Sequence, residues 1–549
     1  MTVRKLRLAA AACLPRNVKT TPRQAAMALI HDHQYPLVQA VARLNYTNPF
    51  TPERLALEEQ ALGSDFTSEP DTFWSLTPEQ TTQRRPNLIL ILDRARTAAD
   101  EIRSRLLKRQ PASDHELQLY DDLSVYVLFY ELLESWGRRT IPGVSRSDVD
   151  RAAWERFTGE FDRRLRLPGL QLPSARDRVG LFELFHQVYR AFFSIFECVI
   201  GRSRPAAALR ARIWQSIFTY DFQRYRRSLR RTLGQITTLI CGPSGSGKEL
   251  VAQAIGMSRW IPFVERERQF AVQPADSYAP INISAFARTL VESELFGHAK
   301  GAFTDASAAR TGWLEACGEY GSVLLDEIGE LDPSTQVKLL RVLQNRQFQR
   351  LGETKVRDFH GKIIAATNRD LRKEIEAGRF REDLYYRLCG DVIETPPLAA
   401  QTRDNPDMLE DLVTQIVERI CPEEKESLTA EVLRGIATCM PPDYHWPGNI
   451  RELEQCVRNV MICGRCAPAA PSSPENLTNS SGGLPPELLI LAQRMQTVDA
   501  TAEEVLQHYC RWARRHTGSF DLAARRLLLD RRTVRAKADL AGPPSTKPE

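Results

Sequence analysis

The sequence predicts a multidomain chain with a mostly helical N-terminal region, an α/β middle and a short helical end. Three observations carry this reading. At roughly 100–200 residues per domain, the 549 residues allow three or four domains. Apolar residues recur at three and four through the segments 115–137 and 177–200, which is the helical period. From about 205 to 465, strand-like runs alternate with helical runs, the pattern of a parallel sheet with helices on both faces.

Composition narrows the class. Hydrophobic residues make up 42% and the net charge is only +5, which excludes wholesale disorder. The longest apolar runs, such as Val125 to Leu133, fall short of the roughly 18–20 residues of a membrane span. No membrane role is expected. The start, MTVRKLRLAAAACLPRN, has a basic front, but its apolar stretch is mostly Ala and reads as an ordinary start rather than a secretory signal. Eleven cysteines spread thinly over the chain argue against a disulfide scaffold and for a reducing, cytoplasmic setting.

The elements follow in order. Residues 1–204 read as a mostly helical region. LILIL, Leu88 to Leu92, is a buried strand or a buried helix, and periodicity does not decide between them. The aromatic stripe Phe182, Phe185, Tyr189, Phe192, Phe193, Phe196 reads as core packing. The basic run Arg224 to Arg231 reads as a solvated helix face or an interdomain contact, with nucleic acid as the less common use. Residues 205–395 form the α/β part and 396–466 a helical continuation. The stretch 467–486, rich in Pro, Ser, Gly and Asn, is a linker. Residues 487–549 hold two or three helices and a frayed tail.

The strongest motif is Gly242-Pro243-Ser244-Gly245-Ser246-Gly247-Lys248-Glu249, between the apolar run ITTLIC and the helical run ELVAQAIG. Strand, loop and helix in that order make a phosphate loop. Its glycines let backbone N–H groups turn toward phosphates, the helix N-terminus adds its positive end, and Lys248 reaches the β- and γ-phosphates. Glu249 stands where Ser or Thr commonly binds magnesium. Downstream, the strand SVLL ends in Asp326 and Glu327, placed to hold Mg2+ and to polarise the attacking water. A further strand, KIIAAT, ends in Asn368, within reach of the γ-phosphate or that water. These parts together predict a nucleoside-triphosphate hydrolase using Mg2+.

Six blocks then match a known family in order and spacing: GPSGSGKELVAQAIG, ESELFGHAKGAFTDA, GSVLLDEIGELDPSTQVKLLRVLQ, KIIAATNRDL, GRFREDLYYRL and WPGNIRELEQCV. The stretch from about 236 to 463 resembles the AAA+ domain of bacterial enhancer-binding proteins, the ATP-driven activators of RNA polymerase carrying sigma-54. The resemblance implies an α/β AAA+ P-loop ATPase subdomain with a helical lid, and it makes Glu249 the usual residue after the lysine. It assigns Asn282 as the asparagine that holds the catalytic glutamate at rest and Asn368 as the first sensor. Arg381 and Arg387 become arginine fingers, and Arg451 a second sensor on the lid. Fingers act in trans, so a ring is implied, in this family usually a hexamer. GAFTDA resembles the loop that contacts sigma-54, with Phe303 and Thr304 as the contacting residues. Asp305 there replaces the usual Gly, and Ala399-Ala400-Gln401-Thr402 replaces a basic-acidic run.

The end of the chain resembles a Fis-type helix-turn-helix. Ala523 and Ala524 allow close helix packing, and Arg531, Arg532, Thr533, Arg535 and Lys537 lie on the expected recognition helix. Nine Arg and Lys stand against three Asp between Val505 and Leu540, a net +6, so the basic surplus sits here. Leu528 replaces the usual Gly of the turn. Cys456, Cys463 and Cys466 cluster near 463–466, but one CxxC without a second pair reads as ordinary free thiols rather than a metal or redox site. The family resemblance also implies that residues 1–204 are a regulatory or sensory domain, and they show no receiver-like pattern.

The expected function is a sigma-54-dependent activator. It hydrolyses ATP in a homo-oligomeric ring, remodels sigma-54 RNA polymerase and binds double-stranded DNA at an upstream activating site. The alternative is an AAA+ remodelling ATPase or adaptor acting on a different partner.

Overall fold

The computed structural model describes residues 28–68, 86–137, 146–303, 306–441, 443–466 and 500–540. The expected linker, the frayed tail, Thr304 and Asp305 lie outside the described residues. Residues up to 466 form one compact unit and those of 500–540 belong to a second.

The first unit begins with seven helices: α1 (Tyr35–Leu44), α2 (Glu53–Leu62), α3 (Pro86–Leu107), α4 (Asp114–Gly137), α5 (Arg146–Leu165), α6 (Arg178–Cys198) and α7 (Arg204–Phe218). LILIL therefore belongs to a helix, α3, and only Ile91 of its five residues is fully buried. Helix α6 is the seam of this unit. Its Phe182 and Phe185 complete the core of the helical region with Trp136, Phe157 and Phe161. About three to four turns later Ile195 and Phe196 enter the core that continues beneath the sheet. Of the aromatic stripe, Phe182, Phe185 and Phe196 are buried and Tyr189 and Phe192 pack against the two cores, as the spacing predicts, while Phe193 is half-buried outside both.

The basic run departs from a regular helix. After a single turn at Phe222–Arg224 it widens into a π-type turn, Tyr225–Leu229. Arg226 donates to Ser174 Oγ and Arg230 to the Gly180 carbonyl. Two of its arginines thus tie the helical region to the segment that leads into the sheet, within the one compact unit.

The sheet has five parallel strands: β1 (Thr238–Cys241), β2 (Tyr278–Asn282), β3 (Ser322–Asp326), β4 (Lys362–Thr367) and β5 (Asp391–Glu394). Their order across the sheet is β5-β1-β4-β3-β2. Alternate side chains point to opposite faces, and both faces are covered. Val323, Leu325, Ile363 and Ala365 enter one core; Leu324, Ile364 and Ala366 enter the other. Helix α8 (Lys248–Gly256) follows β1, α9 (Arg288–Phe296) follows β2, α10 (Pro333–Asn345) follows β3, and the short α11 (Glu382–Leu388) precedes β5. Parallel strands need such crossovers, because their ends lie a strand's length apart.

Four more helices follow β5 in this unit: α12 (Leu398–Asp404), α13 (Met408–Ile420), α14 (Lys425–Cys439) and α15 (Asn449–Cys463). Ala399 to Thr402 form most of α12, and buried Gln401 donates to the Pro396 carbonyl. The expectation of free thiols needs correcting here. Cys456 and Cys466 are joined as a disulfide, while Cys463 is free and exposed. Helix α15 and the turn after it bring the first pair face to face, which spacing in the sequence did not disclose. No group of His, Cys, Asp and Glu able to hold a metal occurs among the described residues, nor does a helix long and apolar enough to cross a membrane.

The second unit has three described helices, α16 (Ala502–Thr517), α17 (Phe520–Leu527) and α18 (Arg531–Leu540). Helix α16 starts on a reciprocal capping box between Thr501 and Glu504. The small core is Cys510, Ala513, Ala523, Ala524, Val534 and Ala538. Leu528 caps α17 at φ +53° and is 92% exposed. The turn therefore keeps the left-handed residue that usually calls for glycine, at a cost of about 1–2 kcal/mol.

Candidate functional site

The phosphate loop lies at the C-terminal end of β1, where a parallel sheet opens its crevice. Helix α8 starts directly at Lys248, with Gly247 as its left-handed N-cap. Two glycines are required by close approach. A Cβ on Gly242 would lie 2.0 Å from Thr395 Oγ1, and one on Gly245 would lie 2.3 Å from the Gly448 carbonyl. Pro243, Ser244 and Glu249 are exposed. Ser246 is buried and shares a 2.6 Å hydrogen bond with Thr395.

Lys248 Nζ donates to the Gly242 and Pro243 carbonyls, both at 3.1 Å. Burial pushes its ammonium below the ordinary lysine range, Glu327 and Asp326 pull it back up, and Arg451 adds to the fall. These four charged groups thus share one field. Asp326 ends β3 and accepts from the Glu327 N–H at 3.0 Å. Glu327 itself sits at φ +55°, a left-handed conformation that costs a non-glycine residue about 1–2 kcal/mol. Such strain is retained where it aims a functional side chain. Neither carboxylate has a cationic salt-bridge partner among the described residues.

The resting contact expected of Asn282 is not formed, which corrects that reading. Asn282 lies beside Asp326 in the β2–β3 register, but its Oδ1 accepts from Ser284 N at 3.0 Å and Ser284 Oγ at 2.7 Å. That local turn takes up the amide oxygen and sets the orientation of the side chain. The Glu327 carboxylate instead accepts from the backbone N–H of Asn368 at 3.4 Å.

The lid reaches the loop directly. Arg451 Nη1 donates to Ser244 Oγ at 3.2 Å. Beside it stands Asn449, which lies in the WPGNIRELEQCV block but has no role assigned by the sequence. Asn449 is buried at φ +52°, a conformation Asn tolerates better than most residues. Its Nδ2 donates to the Ser244 carbonyl at 2.9 Å and its Oδ1 accepts from Leu398 N at 2.8 Å. The Ile450 N–H donates to the Gly245 carbonyl at 3.0 Å. Asn449 therefore clamps lid, loop and α12 together. Asn449→Ala is expected to cost about 2–3 kcal/mol, since it strands a buried N–H and loses two bonds, and to weaken ATP binding. Thermal unfolding and ATP titration check this; both unchanged would contradict the clamp.

The two finger candidates differ. Arg381 is bidentate to Asp383, at 3.0 and 2.7 Å. Arg387 is exposed on α11 and makes no side-chain bond among the described residues. The segment carrying both is pinned by buried Gln336 of α10, another residue inside a matching block with no role assigned by the sequence. Its Oε1 accepts from Arg381 N at 2.9 Å and its Nε2 donates to the Arg379 carbonyl at 3.0 Å.

In the GAFTDA loop the Gly301 N–H donates to the Ala306 carbonyl at 2.8 Å. Phe303 is 38% exposed, its ring edge-on to buried His298 at 4.9 Å. The aromatic is thus half stowed rather than fully presented. His298 is held between Ser293 Oγ at 2.7 Å and the Ala308 carbonyl at 3.0 Å.

On α18, Arg531, Arg532 and Arg535 are exposed. Arg531 pairs with Asp521 at 3.2 Å, and Arg535 lies over Phe520 at 5.9 Å. Thr533 is engaged by Asp530, its N–H donating at 2.9 Å. Lys537 is turned onto Glu503 of α16.

Residues 220–394 match the family described as the Sigma-54 interaction domain. The chain is 41% identical over 243 residues to the Nif-specific regulatory protein of Azotobacter vinelandii, covering 43% of each chain. It is 43% identical over 228 residues to the regulatory protein LuxO of Vibrio cholerae, covering 42% of this chain and 39% of that one. It is 41% identical over 240 residues to the DNA-binding transcriptional regulator NtrC of Rhizobium meliloti, covering 43% of this chain and 45% of that one. The chain spans less than half the length of these curated relatives.

Proposed function

We propose that this chain, whose residues 220–394 belong to the sigma-54 interaction domain family, is an ATP-driven activator of transcription by sigma-54 RNA polymerase. The observation that carries the proposal is one continuous assembly. The phosphate loop, the Asp326–Glu327 pair, the lid arginine Arg451 and the GAFTDA loop all belong to one domain.

The residues fit ATP. The loop would wrap the phosphates with backbone N–H groups, Lys248 would neutralise them, and Arg451 would follow them from the lid. Asp326 and Glu327, free of salt bridges among the described residues, fit Mg2+, which would take its other ligands from phosphate and water. Bound there, the metal would offset charge on the transferring phosphoryl group. Glu327 would orient and deprotonate the attacking water, and Asn368 would hold the Glu327 carboxylate through its backbone N–H. Arg387, unpaired on the surface, would serve the site of a neighbouring copy, so the working form is a ring. A hexamer is the number the family resemblance suggests.

The tip loop would carry the work outward. Phe303 leaving His298 and Thr304 beside it would meet sigma-54 as turnover proceeds. Thr304→Ala is expected to keep ATPase activity and lose activation in a reconstituted sigma-54 transcription assay. Full activation by that variant would refute the tip-loop role.

The C-terminal unit is proposed as a Fis-type helix-turn-helix. Helices α17 and α18 are joined by three residues, and α18 exposes Arg531, Arg532 and Arg535, suited to phosphates and the major groove. Thr533 and Lys537, occupied by Asp530 and Glu503, are the weaker members of that set. The domain limits 1–204, 205–395, 396–466 and 487–549 are part of this proposal, as is a cytoplasmic site of action.

A further inference from the structure

A cavity of about 570 Å3 opens at the edge of the sheet away from the phosphate loop. Its walls include Gln235 before β1, Tyr320 before β3 and Lys362 at the start of β4. The phosphate loop follows β1, so the two sites are separated by the length of that strand, roughly 13 Å at 3.3 Å per residue. Gln187 of α6 and Tyr225 close the cavity from the side of the helical region.

The charge of this cavity is one-sided. Five lining side chains are cationic, Arg230, Arg231, Arg259, Arg346 and Lys362, against one carboxylate, that of Glu319. Arg230 is answered by Asp177 at 3.4 Å and Glu183 at 3.5 Å. Three others hydrogen-bond only to backbone oxygens among the described residues, Arg346 also lying over the Phe359 ring at 4.9 Å. Arg259 donates to the carbonyls of Glu319 and Gly321, Arg346 to that of Gly361 at 2.6 Å, and Lys362 to that of Ile236 at 2.7 Å. A carbonyl satisfies a donor but leaves the net charge in place. Burial pushes the Lys362 ammonium down to about 8; Asp391 pulls against this, and Arg259 and Arg346 add to the fall. Sequestered like charges of this kind are unfavourable until an anion joins them.

The cavity also has an aromatic wall. Arg230 and Arg231 lie over the Trp260 ring at 5.6 and 5.4 Å, and Tyr320 meets it edge-on at 5.9 Å. The volume is that of a small-molecule site rather than of a single inorganic ion. Two guanidinium forks beside an ammonium suit a phosphate with more than one negative charge.

We propose that this cavity binds a phosphorylated small molecule, its phosphate held by Arg259, Arg346 and Lys362 and its body against Trp260 and Tyr320. Such a ligand would touch the helical region and the sheet together, at a second site independent of the ATP site and of the sigma-54 reading.

The test is calorimetric titration of the full-length chain with sodium pyrophosphate, on a Lys248→Ala background that weakens the phosphate loop. Saturable binding is expected, weakened at least tenfold by Arg346→Gln and by Lys362→Met. The exposed Arg231→Gln, which leaves the core untouched, is expected to weaken it severalfold, and Arg346→Lys to restore part of the loss. Absence of saturable binding would overturn the proposal. So would an affinity unchanged by Arg346→Gln or, should that variant not fold, by Arg231→Gln.

Discussion

Arg387→Ala is expected to lower ATP turnover on the order of 10³–10⁵-fold, the range known for arginine fingers, while leaving nucleotide binding intact. Its guanidinium is exposed on α11 and bonded to nothing among the described residues. It contributes nothing to its own fold, so its removal carries no packing cost. The trans arrangement adds a sharper expectation. Lys248→Ala protomers keep the finger but lack a working site, and Arg387→Ala protomers keep the site but lack the finger. Mixing the two inactive proteins should restore part of the turnover at mixed interfaces. Steady-state ATPase assays of the single variants and the mixture check this. Full activity of Arg387→Ala, or a mixture as inactive as its parts, would contradict a shared site. Arg381, already neutralised by Asp383, differs in this respect.

Glu327→Ala is expected to bind ATP and to lose hydrolysis by on the order of 10²–10⁴-fold, the usual worth of a positioned general base. Lys248→Ala is expected to lose binding itself, because the phosphate charge then goes unanswered in a half-buried loop. The pair separates two steps in one site. Fluorescent-nucleotide binding and phosphate release measure them independently. Equal ATPase activity in both variants and the parent would end the assignment of this site. Glu327→Ala also relieves little backbone strain, since alanine is no better than glutamate at φ +55°. A stability change would therefore not explain the loss.

Legibility in the sequence tracks how local each feature is. The phosphate loop and the acidic pair are short runs whose chemistry lies in adjacent residues, so Gly242 to Lys248 and Asp326–Glu327 can be read directly. The alternation of strands and helices likewise foretells a parallel sheet. Helix α3 is ambiguous only because LILIL is five residues long; the 22-residue span from Pro86 to Leu107 is visible once its amphipathic continuation packs.

Contacts between distant segments are not legible. Asn449 touches Ser244 across 205 residues, and Gln336 holds the finger segment across 45. Polar residues of this kind look like surface until the fold buries them. Asn282 departs from its expected role for a related reason. Its amide oxygen is engaged by the Ser284 N–H and hydroxyl, and that local turn fixes how the side chain is oriented. The Cys456–Cys466 pair depends on a turn after α15 that spacing alone does not define. The left-handed Leu528 shows a turn keeping its geometry after losing its usual glycine.

The central claim is that nucleotide turnover in this domain is coupled to sigma-54. The most direct measurement is capture of purified sigma-54 by the full-length chain with ADP–aluminium fluoride in place of ATP. The account predicts retention with the unaltered chain under that condition alone, and loss with Lys248→Ala and with Thr304→Ala. Failure to retain sigma-54, or retention indifferent to nucleotide and to both substitutions, would contradict it.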